Sequence, residues 1–279
     1  MDRIPFGIDR LDELIDGGAP PGSVVLLAGE AGAGSREFLY TSAVMNGLAR
    51  AGEDLFDLHY GEVPDGAKLP EAVHYISFTG EEAQLREEVG MSMDTEIAET
   101  GLEPVQFESL SQPYFHASPV PRGWYTAETP EIKNLRKRHE EREELLSAFG
   151  NALSERAPNN LVVVDSLSDL VGTIGENLSW SDITYLVSGL QKAAHQWQGL
   201  ILLHVNHETL TDVELGQLME ACSGTLRFQW ETGGSTRART LVVKQFRGVL
   251  SQIEEENIVQ FEAELGDAGF DISDVRKIR

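Results

Sequence analysis

Short apolar runs alternate with longer amphipathic stretches through the first three-quarters of the chain. Runs of this length, bounded by turn-forming residues, are typical of buried strands, and they fall at 23–28, 73–78, 105–109, 161–165 and 200–205. The stretches that predict helices are 36–50, 81–89, 132–156, 180–197 and 212–221. Strands that alternate with helices in this way indicate a parallel sheet covered by helices.

The pattern changes after Cys222. Residues 225–231 and 240–246 flank the Gly233-Gly234 pair, which predicts an antiparallel hairpin, and 258–262 predicts one more strand. We therefore expect an α/β fold with a mainly parallel sheet wrapped by helices and a C-terminal antiparallel hairpin. The whole chain, 1–279, is interpreted as one domain. The polar or proline-bearing stretches near 52–71 and 111–130 are predicted to be surface insertions.

A glycine-rich turn follows the first predicted strand and precedes the first long predicted helix. Its glycines have the spacing of a phosphate-binding loop, in which backbone N–H groups converge on phosphate, a lysine neutralises it and a hydroxyl binds magnesium. Ser35 stands at the lysine position and Arg36 at the hydroxyl position. The loop predicts phosphate binding with ATP or ADP as cofactor and argues against magnesium, whereas the alternative is a turn kept for its shape. The candidate binding residues are Gly29, Glu30, Ala31, Gly32, Ala33, Gly34, Ser35 and Arg36.

The apolar run at 161–164 ends in Asp165. In active phosphate-loop enzymes, an aspartate at the carboxyl end of such a strand holds magnesium. We therefore place Asp165 in the candidate cofactor site. The alternative interpretation is an aspartate that caps the next turn.

The loop, Asp165 and the opening segments 4–12 and 17–23 together resemble the KaiC-like branch of the RecA superfamily, and within it the HTR-like proteins of halophilic archaea. The resemblance implies a RecA-like fold of the P-loop NTPase type. It also implies catalytic glutamates after the second strand, so Glu81 and Glu82 are the candidates, although they lie two positions later than the family pattern. Their alternative role is to open a helix, where carboxylates are favourable.

The same family carries a Lys-x-Arg-Gly stretch that reaches the nucleotide of a neighbouring subunit. Lys244 and Arg247 occupy a similar stretch with one extra residue between them. On a regular strand this spacing sends the two side chains to opposite faces, unless a bulge intervenes. The resemblance also implies self-association, so a homo-oligomer and a regulatory protein partner of unidentified kind are the expected partners.

The net charge is -24, with six lysines against sixteen arginines, as in proteins of a salt-loaded cytosol. This acidity argues against binding to nucleic acid, because it repels a phosphate backbone. The basic segment 133–138 is followed by glutamates at helical spacing, which favours a solvated helix face. One cysteine excludes an internal disulfide, and no apolar run could cross a membrane, so we expect a cytoplasmic protein.

Two other groups of residues carry chemistry without a complete motif. His204 and His207 flank a predicted strand end, but no third ligand has recognisable spacing, so no metal site is predicted and a polar role near the nucleotide cleft is favoured. Trp124 and Tyr125 lie in the second insertion, where packing onto the domain is favoured over anchoring a partner.

The leading hypothesis is a non-catalytic or weakly catalytic KaiC-like regulator that uses the loop to bind a nucleotide. The alternative is an ATPase that uses Arg36 or Lys244 in place of the missing lysine. A third hypothesis, a RecA-type DNA-binding protein, is disfavoured by the acidity.

Overall fold

The computed structural model describes residues 2–116, 118, 120–125, 138–173, 179–233, 236–247, 249 and 260–275. Within these residues, the strands are β1 (Ser23–Gly29), β2 (Val73–Ser77), β3 (Gln106–Ser109), β4 (Leu161–Asp165), β5 (Leu200–Asn206), β6 (Gly224–Gly233), β7 (Thr236–Phe246), β8 (Gln260–Gly266) and β9 (Gly269–Val275). The helices are α1 (Asp9–Leu14), α2 (Ser35–Ala51), α3 (Glu53–His59), α4 (Glu82–Ser92), α5 (Thr95–Leu102), α6 (Ser111–His116), α7 (Arg138–Arg156), α8 (Leu167–Gly172), α9 (Trp180–Trp197) and α10 (Asp212–Ala221).

All the described strands form one sheet in the order β3-β2-β4-β5-β1-β6-β7-β8-β9. The pairs from β3 to β6 are parallel, and the pairs from β6 to β9 are antiparallel. The predicted fold class is therefore confirmed, and the antiparallel part is longer than the expected hairpin because β9 extends it. The apolar runs of β1, β2, β4 and β5 are buried on both faces, as the inner strands of such sheets require, whereas β3 at the edge of the sheet is partly exposed.

Alternate residues of the strands build two cores, one on each face of the sheet. On β1, Val25 and Leu27 face the core covered by α2, whereas Val24 and Leu26 face the core covered by α7 and α9. Among their described residues, those of the antiparallel strands that join a core join the first one, through residues such as Phe261 and Phe270. The two-residue alternation along each strand therefore determines which side chains lie beside α2 and the glycine loop in front of it.

The opening segment is fixed to the domain by a buried carboxylate. Asp12 is fully buried and accepts hydrogen bonds from the N–H groups of Phe6, Gly7 and Ile8 and from the hydroxyl of Tyr60, at 2.7–3.1 Å. The predicted insertion 52–71 contains α3 and Tyr60, so part of this segment packs in the core and is not a loop on the surface. The two residues that pack there, Phe56 and Tyr60, lie one helical turn apart, but the polar residues around them in the sequence conceal the helical pattern.

The second predicted insertion, 111–130, contains α6 and a short 3-10 turn at Arg122–Trp124, and residues 126–130 lie outside the described part. Trp124 is 80% exposed, so the expectation that it packs onto the domain is wrong, whereas the ring of Tyr125 lies 5.4 Å from that of Phe115. Most of the basic segment 133–138 also lies outside the described residues. In the described part, no helix is long and apolar enough to cross a membrane.

Candidate nucleotide cleft

Residues 29–36, which we call the glycine loop, connect β1 to α2. Gly32 and Gly34 have φ values of +72° and +102°, a region that favours glycine. A Cβ atom on Gly29 would lie 2.0 Å from the Ser35 hydroxyl, so only glycine fits there. In the described part of the chain, no hydrogen bond uses the N–H groups of Gly34, Ser35 or Arg36. These groups are the unpaired donors at the start of α2, and such donors bind anions.

Contacts from the antiparallel strands hold the outer side of the loop. The indole of Trp230 donates to the carbonyl of Ala31 at 3.1 Å, and Nε of Arg239 donates to the carbonyl of Gly32 at 3.1 Å. The guanidinium carbon of Arg239 lies 4.7 Å above the centre of the Trp230 ring. The carboxylate of Glu30 accepts a hydrogen bond from the backbone N–H of Trp230 at 3.0 Å. Strands β6 and β7 therefore fix the loop from outside and leave its helix end free.

One donor of the loop is already paired with an anionic group. The N–H of Ala31 donates to the carboxylate of Glu208 at 2.9 Å. Glu208 follows β5, in the short 3-10 turn at His207–Thr209. This carboxylate adds negative charge beside the loop.

Asp165 lies at the carboxyl end of β4 and is the centre of a polar network. Its Oδ1 lies 3.2 Å from Nη2 of Arg36 and 3.4 Å from Nδ1 of His204, and its Oδ2 accepts the hydroxyl of Tyr75 at 2.8 Å. Burial alone would raise the pKa of Asp165, but His204, Arg36 and Tyr75 lower it to about 2. The carboxylate is therefore charged at neutral pH and engaged on both oxygens.

Ser35 does not take the place of a lysine that reaches toward phosphate. Its hydroxyl lies 3.0 Å from Nε2 of His204, and both side chains are more than nine-tenths buried. His204 thus connects Ser35 to Asp165, although at 3.4 Å its contact with the carboxylate is longer than a normal hydrogen bond. The polar role that the sequence predicted for His204 near the cleft agrees with this position.

A cleft of about 450 Å³ lies between the glycine loop and the ends of β4 and β5. Apart from His204, its ionisable lining residues are one arginine, Arg36, and three acidic residues, Glu30, Glu37 and Asp169. The surroundings of the free N–H groups are therefore more negative than those of a loop with a lysine. The other lining residues include small and polar side chains: Ser166, Ser168, His204, Asn206 and Thr209.

The side chains of the two candidate catalytic glutamates have different partners. Glu81 lines a small cavity of about 60 Å³ on the other side of Arg36, where it accepts hydrogen bonds from the hydroxyls of Ser109 at 3.1 Å and Ser111 at 2.5 Å. Glu82 instead forms an i,i+4 ion pair with Arg86 at 2.7 Å. Of the two, only Glu81 borders space that adjoins the Asp165 network.

A bulge in β7 decides on which side of the strand Lys244 and Arg247 lie. Leu226 pairs with Val243 and Thr225 pairs with Gln245, so Lys244 is the extra residue. Val243 and Phe246 consequently both face the first core, and Lys244 and Arg247 both lie on the opposite, exposed side. The exception that the sequence left open, a bulge, is therefore present, and the two cations do not lie on opposite faces.

Sequence reasoning missed several residues of this site: Tyr75, Glu208, Trp230 and Arg239. None belongs to a short motif, and each reaches the loop or Asp165 through strand order. The available signal for Tyr75 was a phenol on a buried strand, because a buried tyrosine hydroxyl usually needs a hydrogen-bond partner. Within the described residues, no group of three His, Cys, Asp or Glu side chains could hold a metal ion.

The order of strands, the glycine loop between β1 and α2, and the aspartate that ends β4 define an α/β fold of the RecA type. Among solved structures, the chain is similar to a KaiC-like protein from the hyperthermophilic archaeon Pyrococcus horikoshii. The two share 16% sequence identity over 98% of this chain and 99% of that chain, with a TM-score of 0.61. The chain therefore has a KaiC-like fold. No protein-family model matches the sequence, and no curated protein does.

Proposed function

We propose that this chain is a KaiC-like regulatory protein that binds a nucleotide at its glycine loop and hydrolyses it slowly or not at all. The observation that carries the proposal is the contrast within the loop. The N–H groups of Gly34, Ser35 and Arg36 have no hydrogen-bond partner in the described structure, as phosphate binding requires. Ser35 and Arg36 stand at the positions of the lysine and the hydroxyl that would supply catalysis. They are instead engaged with His204 and Asp165, respectively.

Binding is expected to be weak and to depend on salt. Glu30, Glu37 and Asp169 line the cleft against one arginine, so they repel a polyphosphate. At 1 M salt the screening length falls to about 3 Å, which reduces repulsion by charges that do not touch the ligand. We infer, from the resemblance to HTR-like proteins of halophilic archaea and from the net charge of -24, that the protein works in a salt-loaded cytoplasm.

Slow or absent turnover follows from the degenerate loop. Loss of one electrostatic group that stabilises the transition state typically costs about 3 kcal/mol, or two orders of magnitude in rate. This chain lacks both the lysine and the hydroxyl at their positions in the loop. Glu81 borders the cavity beside Arg36, but its carboxylate is already bound by two serine hydroxyls. Regulation through a conformational change on nucleotide binding is the function that such a site supports.

The test is titration of the purified protein with ADP and ATP in concentrated KCl, together with a phosphate-release assay. We expect saturable binding with little or no phosphate release. Magnesium-dependent turnover that is abolished by Asp165→Asn would contradict the proposal. Absence of binding at any salt concentration would leave only a scaffold role.

One observation favours the alternative of an ATPase that acts between subunits. The bulge at Lys244 places this residue and Arg247 on one exposed side, where a second copy of the chain could meet them. We propose self-association through this side as the arrangement to test. If the alternative holds, ATP-stimulated activity appears only in the oligomer, and Lys244→Ala or Arg36→Ala removes it. A regulatory partner protein is a further proposal, and pull-down in high salt with and without ADP tests it.

A further inference from the structure

We infer that the guanidinium of Arg36 takes the place of magnesium at Asp165, so that the cleft binds its nucleotide free of metal. This inference rests on the proposed nucleotide binding and names the form of the ligand. It starts from one contact: Nη2 of Arg36 lies 3.2 Å from Oδ1 of Asp165. Arg36 occupies the position in the loop at which a magnesium-binding hydroxyl is expected.

The residues around Asp165 do not fit a magnesium ion. Magnesium requires a nearly ideal octahedron of oxygen ligands at about 2.0–2.1 Å, most of them water or phosphate oxygens. Here Oδ1 faces Arg36 and His204, and Oδ2 accepts the Tyr75 hydroxyl, so donors surround a carboxylate that is 12% exposed. A dication at this carboxylate would have to displace the cationic guanidinium.

The second oxygen ligand that magnesium would use is also absent from its position. The hydroxyl of Ser35, one residue before the expected site, lies against His204 beneath the loop. The carboxylate of Asp169, which lines the cleft, accepts both the N–H of Ser166, at 3.2 Å, and its hydroxyl, at 2.9 Å. The Ser35 hydroxyl is therefore paired with His204, and the Asp169 carboxylate accepts donors of the chain itself.

Arg36 retains the capacity to bind phosphate while it contacts Asp165. A guanidinium has five N–H donors in a planar fork, and the hydrogen bond to Asp165 uses Nη2. Its side chain is 51% exposed and lines the cleft beside the unpaired N–H groups of α2. Arginine binds phosphate oxygens through two parallel hydrogen bonds, so it can supply the positive charge that metal supplies elsewhere.

The ligand class that fits is a nucleoside diphosphate or triphosphate without bound metal. Magnesium on the nucleotide would cover the oxygens that Arg36 needs and would place a dication beside a fixed cation. Removal of metal is therefore expected to leave affinity unchanged or to increase it. A site that holds magnesium between phosphate and an aspartate should instead lose affinity when the metal is removed.

The experiment is calorimetric titration of the full chain with ADP and with ATP in concentrated KCl, once with MgCl₂ and once with EDTA. We expect affinity in EDTA to equal or exceed that in magnesium. A loss of more than about tenfold in EDTA, which corresponds to 1.4 kcal/mol, overturns the inference but leaves the proposed nucleotide binding in place. Absence of binding under both conditions overturns both.

Arg36→Ser tests the residue itself, and Arg86→Ser is the matched control. Arg86 is also an exposed arginine paired with a carboxylate, Glu82, but it lies on α4 and does not line the cleft. We expect Arg36→Ser to lose about tenfold or more of its affinity in EDTA, since hydrogen bonds to charged groups contribute about 1.5–3 kcal/mol. Arg86→Ser should keep wild-type affinity.

Thermal melting of both variants shows whether they fold. Metal-free affinity that is equal in Arg36→Ser and wild type, or an equal loss in both variants, overturns the inference. If Arg36→Ser does not fold, the comparison of EDTA with magnesium in the wild-type protein still decides it.

Discussion

Replacement of Asp165 by asparagine removes a charge that three donors contact and keeps the size of the side chain. Asp165 has a pKa of about 2 instead of the ordinary 3.8, because His204, Arg36 and Tyr75 outweigh the effect of burial. This difference corresponds to about 2.5 kcal/mol of unfolding free energy at neutral pH. We therefore expect Asp165→Asn to lower the free energy of unfolding by about 2–3 kcal/mol.

The sign and pH range of this effect follow from the lowered pKa. A carboxylate with a lowered pKa in the folded state stabilises the protein fully above its unfolded pKa of about 4, and the contribution disappears as the pH falls toward 2. The difference between wild type and Asp165→Asn should therefore be present above about pH 5 and should shrink as the pH falls toward 2. Denaturant unfolding in concentrated KCl at several pH values measures it.

Asp54→Asn is the matched control, because Asp54 is exposed on α3 and its replacement makes the same change in net charge. We expect this variant to unfold within about 0.5 kcal/mol of wild type. Equal effects of the two substitutions would attribute the loss to net charge. An Asp165→Asn protein as stable as wild type would refute the network around Asp165.

Three further substitutions test other parts of the structure. Tyr75→Phe should cost about 2 kcal/mol in denaturant unfolding, because it removes a hydrogen bond to charged Asp165, and a cost near zero would contradict that bond. Gly34→Ala should lower the melting temperature, since φ is +102° and the new Cβ would lie 3.0 Å from the ring of Phe270; an unchanged melting temperature would contradict the loop geometry. Asp12→Ala should cost about 3 kcal/mol or more in equilibrium unfolding, because it leaves four buried donors without their acceptor, whereas a cost below about 1 kcal/mol would show that water replaces the carboxylate.

Much of the fold was predictable because the signals are local. The helices Trp180–Trp197 and Asp212–Ala221 have the predicted bounds, since both begin after capping residues and carry an apolar stripe. The short helices α1, α5 and α8 were not predicted, because six to eight residues give too little periodicity. The sequence did not decide whether β7 has a bulge at Lys244, because a bulge depends on how the strand pairs with β6.

By itself, the sequence determined the α/β class, the glycine loop, and the replacements at Ser35 and Arg36, because glycine spacing and residue identity are properties of neighbours along the chain. Only the tertiary structure decided what those two side chains contact. The strand order β2-β4-β5-β1 makes the strands of Tyr75, Asp165 and His204 neighbours, so these side chains meet although they lie far apart in the sequence. Strand order depends on the burial of whole strands between two helical layers, and no local pattern records it.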